Sequence, residues 1–281
     1  MNVRHSLFKE NAPHLKNRIL TMKTKITSKA AVSITVLSIF LLWYFLSTYT
    51  DISPMILPTP CAVWRSFWEV LQEGYGPDGF NLLSHFIGSM KRMLTAFVLI
   101  VFTAIPIGLI CGRYRMISNF LNPIIEFYRP LPPLAYYTLL VLWMGIGENS
   151  KIMLLYLAGF APLYIACVSG VGKVKNEYIV GAEMLGANKY QVFFHVILPA
   201  VLPDIFSGIR IAVGVEYTTL VAAEMVAAKT GLGWMVLDAS KWLRSDIVFM
   251  GVIIMGITGI LINSFMLSIE AKVVHWKGKN R

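Results

Sequence analysis

The sequence predicts an all-helical membrane protein that crosses the bilayer six times. Three observations carry that expectation. Hydrophobic residues make up 56% of the 281 and charged residues only 14%, where soluble domains are about a quarter charged. Mean hydropathy is +0.64. Uninterrupted apolar runs recur along the chain, and about 20 such residues suffice to cross a hydrocarbon core of roughly 30 Å.

The elements follow in order. Residues 1–29 form a polar, basic tail carrying Arg4, Lys9, Lys16, Arg18, Lys23, Lys25 and Lys29. The apolar run from Ala30 to Tyr49 is the first span. It is too long for a secretory signal and no A-x-A-like site follows it, so it is expected to be retained, with Trp43, Tyr44 and Tyr49 as interfacial anchors. Within residues 30–85, Val63, Trp64, Phe67, Trp68 and Leu71 recur at helical spacing, which predicts an amphipathic helix on the membrane surface. The turn cluster G-Y-G-P-D-G follows at 74–79.

The core is expected over 86–269. The second span is placed at about 90–111. The third is placed at about 117–144, interrupted by Pro123, Pro130, Pro132 and Pro133. The fourth follows at about 152–170, the fifth at about 205–228 and the sixth at about 247–269. Residues 270–281 form a second basic tail. The segment K-T-G-L-G-W-M-V-L-D-A-S-K-W-L-R-S-D, between the last two spans, is too polar to cross.

Six spans put both termini on one side, and the basic residues choose which. The side of the N-terminus holds 16 Lys and Arg residues and the opposite side 5. The positive-inside rule therefore predicts that both termini and the 171–204 loop are cytoplasmic. The same distribution accounts for the net charge of +10 without nucleic acid. Cys61, Cys111 and Cys167 are far apart, lack metal or CxxC spacing and are expected to be packing thiols.

Catalytic motifs do not emerge. A phosphate-binding loop needs G-x-x-x-x-G-K-[ST], and the Lys-Thr pairs at 23–24 and 229–230 follow Met22 and Ala228. No HExxH or G-x-S-x-G occurs, and five scattered histidines suggest no metal centre. Energy for active transport would have to come from a partner or an ion gradient.

The stretch 176–203 is unusually structured for a connection. Tyr178, Ile179, Ala182 and Leu185 share a helical face, Gly186-Ala187 suits a hinge, and Asn188 with Gln191 forms a capping-box pattern. Leu198-Pro199 is expected to end the second half, because the residue before proline is pushed out of the helical region. This pattern predicts a docking element, with an interfacial helix pair lying on lipid as its rival.

Charges inside spans are costly in lipid and tend to face a cavity or a partner. Glu126 and Arg129 lie three apart on one face and could pair. Arg210, Glu216 and Glu224 fall in the fifth span. Two readings stand. In one, Glu126, Arg129, Pro130, Pro133, Glu216 and Glu224 line a translocation path, with Arg129 and Glu216 meeting a small zwitterion. In the other, the charges form structural ion pairs or sit near water, and the prolines only kink a helix. Lys91 and Arg92 are expected to snorkel outward, and Gly208 with Ala212 fits small-residue helix packing.

Gly186-Ala187, followed by Leu198-Pro199, resembles the cytoplasmic loop of bacterial ABC importer permeases, whose pattern is E-A-A-x-x-x-G-x(9)-I-x-L-P. Ala182, Gly186, Leu198 and Pro199 match it, Val196 replaces the usual Ile, and Val180 and Gly181 stand where Glu and Ala are usual. The segments 123–136, 142–152 and 215–235, with the W-K-G-like tail, are similar to the taurine, aliphatic-sulfonate and nitrate branch, most fully to taurine permeases. The resemblance implies the fold of a type I importer permease in the bacterial inner membrane, working as a homodimer. It implies cytoplasmic ATPase subunits that carry the ATP-Mg, leaving this chain without a cofactor, and a periplasmic binding protein. Val180, Gly181, Ala182, Gly186, Ala187, Val196, Leu198 and Pro199 would be the ATPase-coupling residues. Taurine or a related sulfonate would be the cargo. Nitrate, another anion, a pyrimidine precursor or an ion-driven carrier remain the alternatives.

Overall fold

A computed structural model describes residues 31–276. The basic tail at 1–29 and Lys277, Lys279 and Arg281 lie outside the described residues. Contacts divide the chain into two units, residues 1–63 and 64–281.

The first unit holds α1 (Ala31–Tyr49), whose apolar side chains are exposed apart from the half-buried Trp43 and Leu46, as expected of a helix solvated largely by lipid. Trp43 Nε1 donates to the Pro58 carbonyl at 3.0 Å, which fixes the return of the chain after the helix. Helix α2 (Pro60–Gln72) follows and runs into the second unit, where Trp64 stacks on Phe67 and Trp68 meets both edge-on.

Three long helices form the centre of the second unit: α3 (Leu82–Arg113), α6 (Glu148–Gly172) and α9 (Leu198–Ala227). Their shared core contains Ile100, Ala104, Leu163, Tyr164, Cys167, Val201 and Ala212. Lipid gives apolar side chains no reason to leave it, so helices associate through close packing, and small residues permit that. A Cβ on Gly108 would come within 2.6 Å of Cys167 Cβ, and one on Gly208 within 2.4 Å of Ala166 Cβ. Gly208 and Ala212 thus act as the small face that their spacing suggests. Cys111 and Cys167 are buried and Cys61 is exposed; all three are free thiols.

Among the described residues, five helices are long and apolar enough to cross a membrane: α1, α3, α6, the Lys189–Val226 stretch and α11 (Ser245–Val273). The third expected span is broken where its prolines cluster, which is the first of the two readings left open for them, a break rather than a kink. It divides into α4 (Arg115–Tyr128) and the shorter apolar α5 (Pro133–Met144). Pro130, Pro132 and Pro133 remove three donors in four positions, so the ladder fails between Arg129 and Pro132. Pro133 is tolerated because it opens α5, where its missing N–H would be unpaired in any case. Pro123 lies inside α4 without ending it.

Helix α7 (Asn176–Met184) ends at a turn where Gly186 takes φ +86°, and α8 (Lys189–Val192) begins on the other side. Leu198-Pro199 does not end this half. A π-helical turn, Phe193–Ile197, carries the chain without interruption into α9, with the Leu198 N–H bonding to the Phe193 carbonyl. The wider turn shifts the register so that Pro199 falls at the start of the next helical segment, where its ring is accommodated. The expected helix break is therefore a π-bulge. Helix α10 (Leu232–Lys241) packs on α9 and α11.

Candidate functional site

The three central helices have two structurally distinct ends. At one, α6 leads into α7 and the π-bulge leads into α9, with Lys173 Nζ on Asp204 Oδ1 at 2.6 Å. Ile179, Val192 and Ile197 are buried here, and Ala182, Ala187 and Leu198 pack against the same core. The Asn188 side chain accepts from the Gln191 N–H at 2.9 Å, and Gln191 Oε1 accepts from the Asn188 N–H at 2.8 Å. This reciprocal cap satisfies two of the donors that a helix start leaves unpaired.

One face of this helix pair is thereby fixed and the other left open. Leu185 is 91% exposed and Met184 82%. Tyr178 and Tyr190 are also exposed, so Tyr178 and Leu185 do not share the inward face of Ile179 and Ala182. Val180, Val196 and Pro199 are half-buried, while Gly181 and Gly186 lie on the surface. The structure brings all eight sequence-selected residues of this element together at one end of the core.

At the opposite end lies a buried charge cluster that the sequence reading did not assemble. Arg92, on α3, is 5% exposed. Its Nη1 donates to Glu224 Oε1 at 2.7 Å and to the Thr230 carbonyl at 2.9 Å; its Nη2 donates to Glu148 Oε1 and to Thr230 Oγ1, both at 3.0 Å. Lys151 Nζ closes on Glu148 Oε1 at 3.0 Å. Two cations thus meet two carboxylates, and a guanidinium fork is suited to holding several acceptors at once.

Glu224 also accepts from Ser89 Oγ at 2.7 Å and from the Gly233 N–H at 3.0 Å, and the Leu232 N–H donates to Ser89 Oγ at 3.0 Å. Close approach of backbone to carboxylate requires Gly231, which has φ +128° and whose Cβ would come 2.4 Å from the Glu224 carboxyl carbon. The Gly231 N–H donates to His85 Nδ1 at 3.2 Å, and the His85 ring stacks on Trp234. The cluster therefore ties the start of α10 to α3, α6 and α9. Arg92 does not snorkel: three acceptors on other elements draw it inward, whereas its neighbour Lys91 is exposed.

The remaining sequence-selected residues separate. Glu126 and Arg129 are exposed on the groove between α4 and α6 and form no ion pair with each other. Pro130 and Pro133 bound the break beside them. Glu216 is fully buried on α9, and neither of its carboxylate oxygens has a hydrogen-bond partner among the described residues. Arg210 approaches Glu270 at 3.6 Å. Among the described residues no group of His, Cys, Asp or Glu is arranged to hold a metal.

Comparison with known proteins gives these two ends a context. Residues 104–275 match the family model described as binding-protein-dependent transport system inner membrane component. The chain is 39% identical over 269 residues to the taurine transport system permease protein TauC of Escherichia coli, covering 94% of this chain and 96% of that protein. It is 32% identical over 239 residues to the putative aliphatic sulfonates transport permease protein SsuC of Bacillus subtilis, covering 85% and 84% of the two chains. Over 221 residues it is 27% identical to the nitrate import permease protein NrtB of Synechocystis, covering 78% and 80%.

Proposed function

This chain belongs to the family of binding-protein-dependent transport system inner membrane components, on the taurine, sulfonate and nitrate branch of ABC importer permeases, and from that membership we propose that it carries taurine or a related aliphatic sulfonate across the inner membrane. Two copies form the path. Each offers its 176–199 element to a cytoplasmic ATPase subunit, which holds the ATP-Mg, and a periplasmic binding protein delivers cargo to the other face. Both termini and the 171–204 loop lie in the cytoplasm, as the excess of basic residues on that side supports.

One observation carries the coupling role. Leu185 and Met184 are large, apolar and almost fully exposed, yet they sit on a capped helix pair whose other face is anchored in the core. Exposed apolar side chains on a rigid mount mark an interaction surface. A push on α8 passes directly into α9, because the π-bulge keeps those two continuous, and α7 is joined to α8 through the Gly186 turn. ATP-driven closure of the ATPase pair would in this way rock α9 against α3 and α6 and alternate the open side of the path.

The names and extent of the relatives support taurine and sulfonates as cargo. The test is reconstitution of the chain in vesicles with its ATPase and binding protein. ATP-dependent uptake of taurine is the expected result. Uptake of nitrate without taurine would reassign the cargo, and uptake driven by an ion gradient without ATP would overturn the importer reading.

A further inference from the structure

The break between α4 and α5 opens beside a cavity of about 180 Å³ between α4 and α6. We propose that this cavity is a binding site for a short zwitterion, with Arg129 receiving its anionic head and Glu126 its ammonium group. The inference rests on the importer reading above and adds to it a substrate site within the permease itself.

Four features of the cavity support the assignment. Its lining includes one cation and one anion, Arg129 and Glu126, three residues apart and so on one face of the chain. Among the described residues neither side chain has an ion-pair partner, and they do not close on each other. Opposite charges held side by side but uncombined offer complementary poles to one ligand, and unpaired charge along a membrane helix is retained at a cost that function has to repay.

The second feature is the backbone. Pro130 has no N–H to bond the Glu126 carbonyl, and the Leu131 N–H turns to the Tyr128 carbonyl at 3.0 Å. The break therefore adds acceptor character beside the carboxylate, which suits an ammonium donor. The third is a fixed floor. Tyr164 Oη donates to Asn122 Oδ1 at 2.8 Å, and Asn122 Nδ2 donates to Ser118 Oγ at 2.9 Å, so this part of the polar lining does not have to be ordered when a ligand arrives.

The fourth is size. Ile125, Ile165 and Val168 supply apolar walls for a short methylene stem, and the volume lies below the 300–1,000 Å³ typical of sites for drug-sized ligands. A two-carbon amino-sulfonate fits this description: three oxygens for the guanidinium, an amine for the carboxylate, and little between them. An alkanesulfonate without the amine would satisfy only Arg129.

The test is direct binding to the purified permease–ATPase complex without binding protein, using radiolabelled taurine in equilibrium dialysis with ethanesulfonate as competitor. Wild type should bind taurine saturably and prefer it to ethanesulfonate. Glu126→Gln should lower taurine affinity at least tenfold and erase that preference. Arg129→Gln should lower affinity for both compounds, and Ile165→Trp, which fills the cavity with both charges kept, should abolish binding. Both charged side chains are exposed, so thermal unfolding should be unchanged in the two Gln variants. Absence of saturable binding to wild type, or equal binding in all variants, overturns the proposal. ATP-driven taurine uptake with the binding protein present tests the importer reading separately: uptake that persists undiminished in all three variants removes the cavity site alone.

Discussion

Arg92→Gln is the perturbation whose size the structure defines best. The substitution keeps a polar side chain but removes the only cation in contact, among the described residues, with Glu224, which is fully buried. Glu148 matters less, because it is 54% exposed and keeps Lys151. Removing one partner of a buried pair costs about 3–5 kcal/mol, because the other charge is left without compensation. Ser89 and the Gly233 N–H still donate to Glu224, which places the expected loss toward the lower end, while the Thr230 carbonyl and hydroxyl each lose a bond worth about 1 kcal/mol. Against a typical total of 5–15 kcal/mol the effect is large. Thermal unfolding in detergent should shift down by roughly 10 °C, and trypsin should cut sooner at the exposed Lys229 and Lys241 as α10 loosens. Glu224→Gln in the same chain should restore most of the loss, since neither charge is then stranded. A double variant whose loss equals the sum of the single losses, within about 0.5 kcal/mol, would refute the account of this cluster.

Other outcomes follow from the same geometry. Gly231→Ala should destabilise the same end as severely as Arg92→Gln, because φ +128° and the Glu224 carboxyl 2.4 Å away leave no room for a methyl group; protease sensitivity near Lys229 reports it. Asn188→Ala should cost about 1 kcal/mol and speed amide exchange in α8, with little change in the core helices. Gly208→Val should separate α6 from α9, since even a Cβ meets Ala166 at 2.4 Å, and should lower both yield and unfolding temperature. Burial and the Asp238 carboxylate push the Tyr75 phenol up to about 12 from its ordinary 10, and its Oη donates to Asp238 at 3.1 Å. A raised folded-state value means that the contribution is complete below pH 10 and fades as pH rises from 10 towards 12. Wild type should therefore lose its stability advantage over Tyr75→Phe in that window, as alkaline unfolding curves would register.

Much of this architecture was legible because it is local. A run of apolar residues long enough to span declares itself, Asn188 and Gln191 declare a cap at a spacing of three, and Gly208 with Ala212 declares a small face at a spacing of four. The prolines at 130, 132 and 133 marked an interruption, though periodicity alone did not show that two separate helices would result. The continuity of α8 with α9 was hidden, because proline reads as a stop unless a π turn shifts the register ahead of it. The Arg92 cluster was hidden for a different reason. Glu148, Glu224 and Thr230 lie 56, 132 and 138 residues away in sequence, and only the packing of α3 against α6 and α9 brings them together. A sequence signal did exist: Arg92 and Glu224 are charges in or beside spans, and such charges call for partners.

The most direct test of the coupling role is site-specific cross-linking in the assembled complex. In a chain with the exposed Cys61 replaced by serine, a cysteine at Leu185 should cross-link to the ATPase subunit, with a yield that changes when ATP is bound. A cysteine at Trp242, exposed at the opposite end, should not cross-link to the ATPase. Cross-linking at Trp242 and none at Leu185 would contradict both the coupling element and the orientation of the chain.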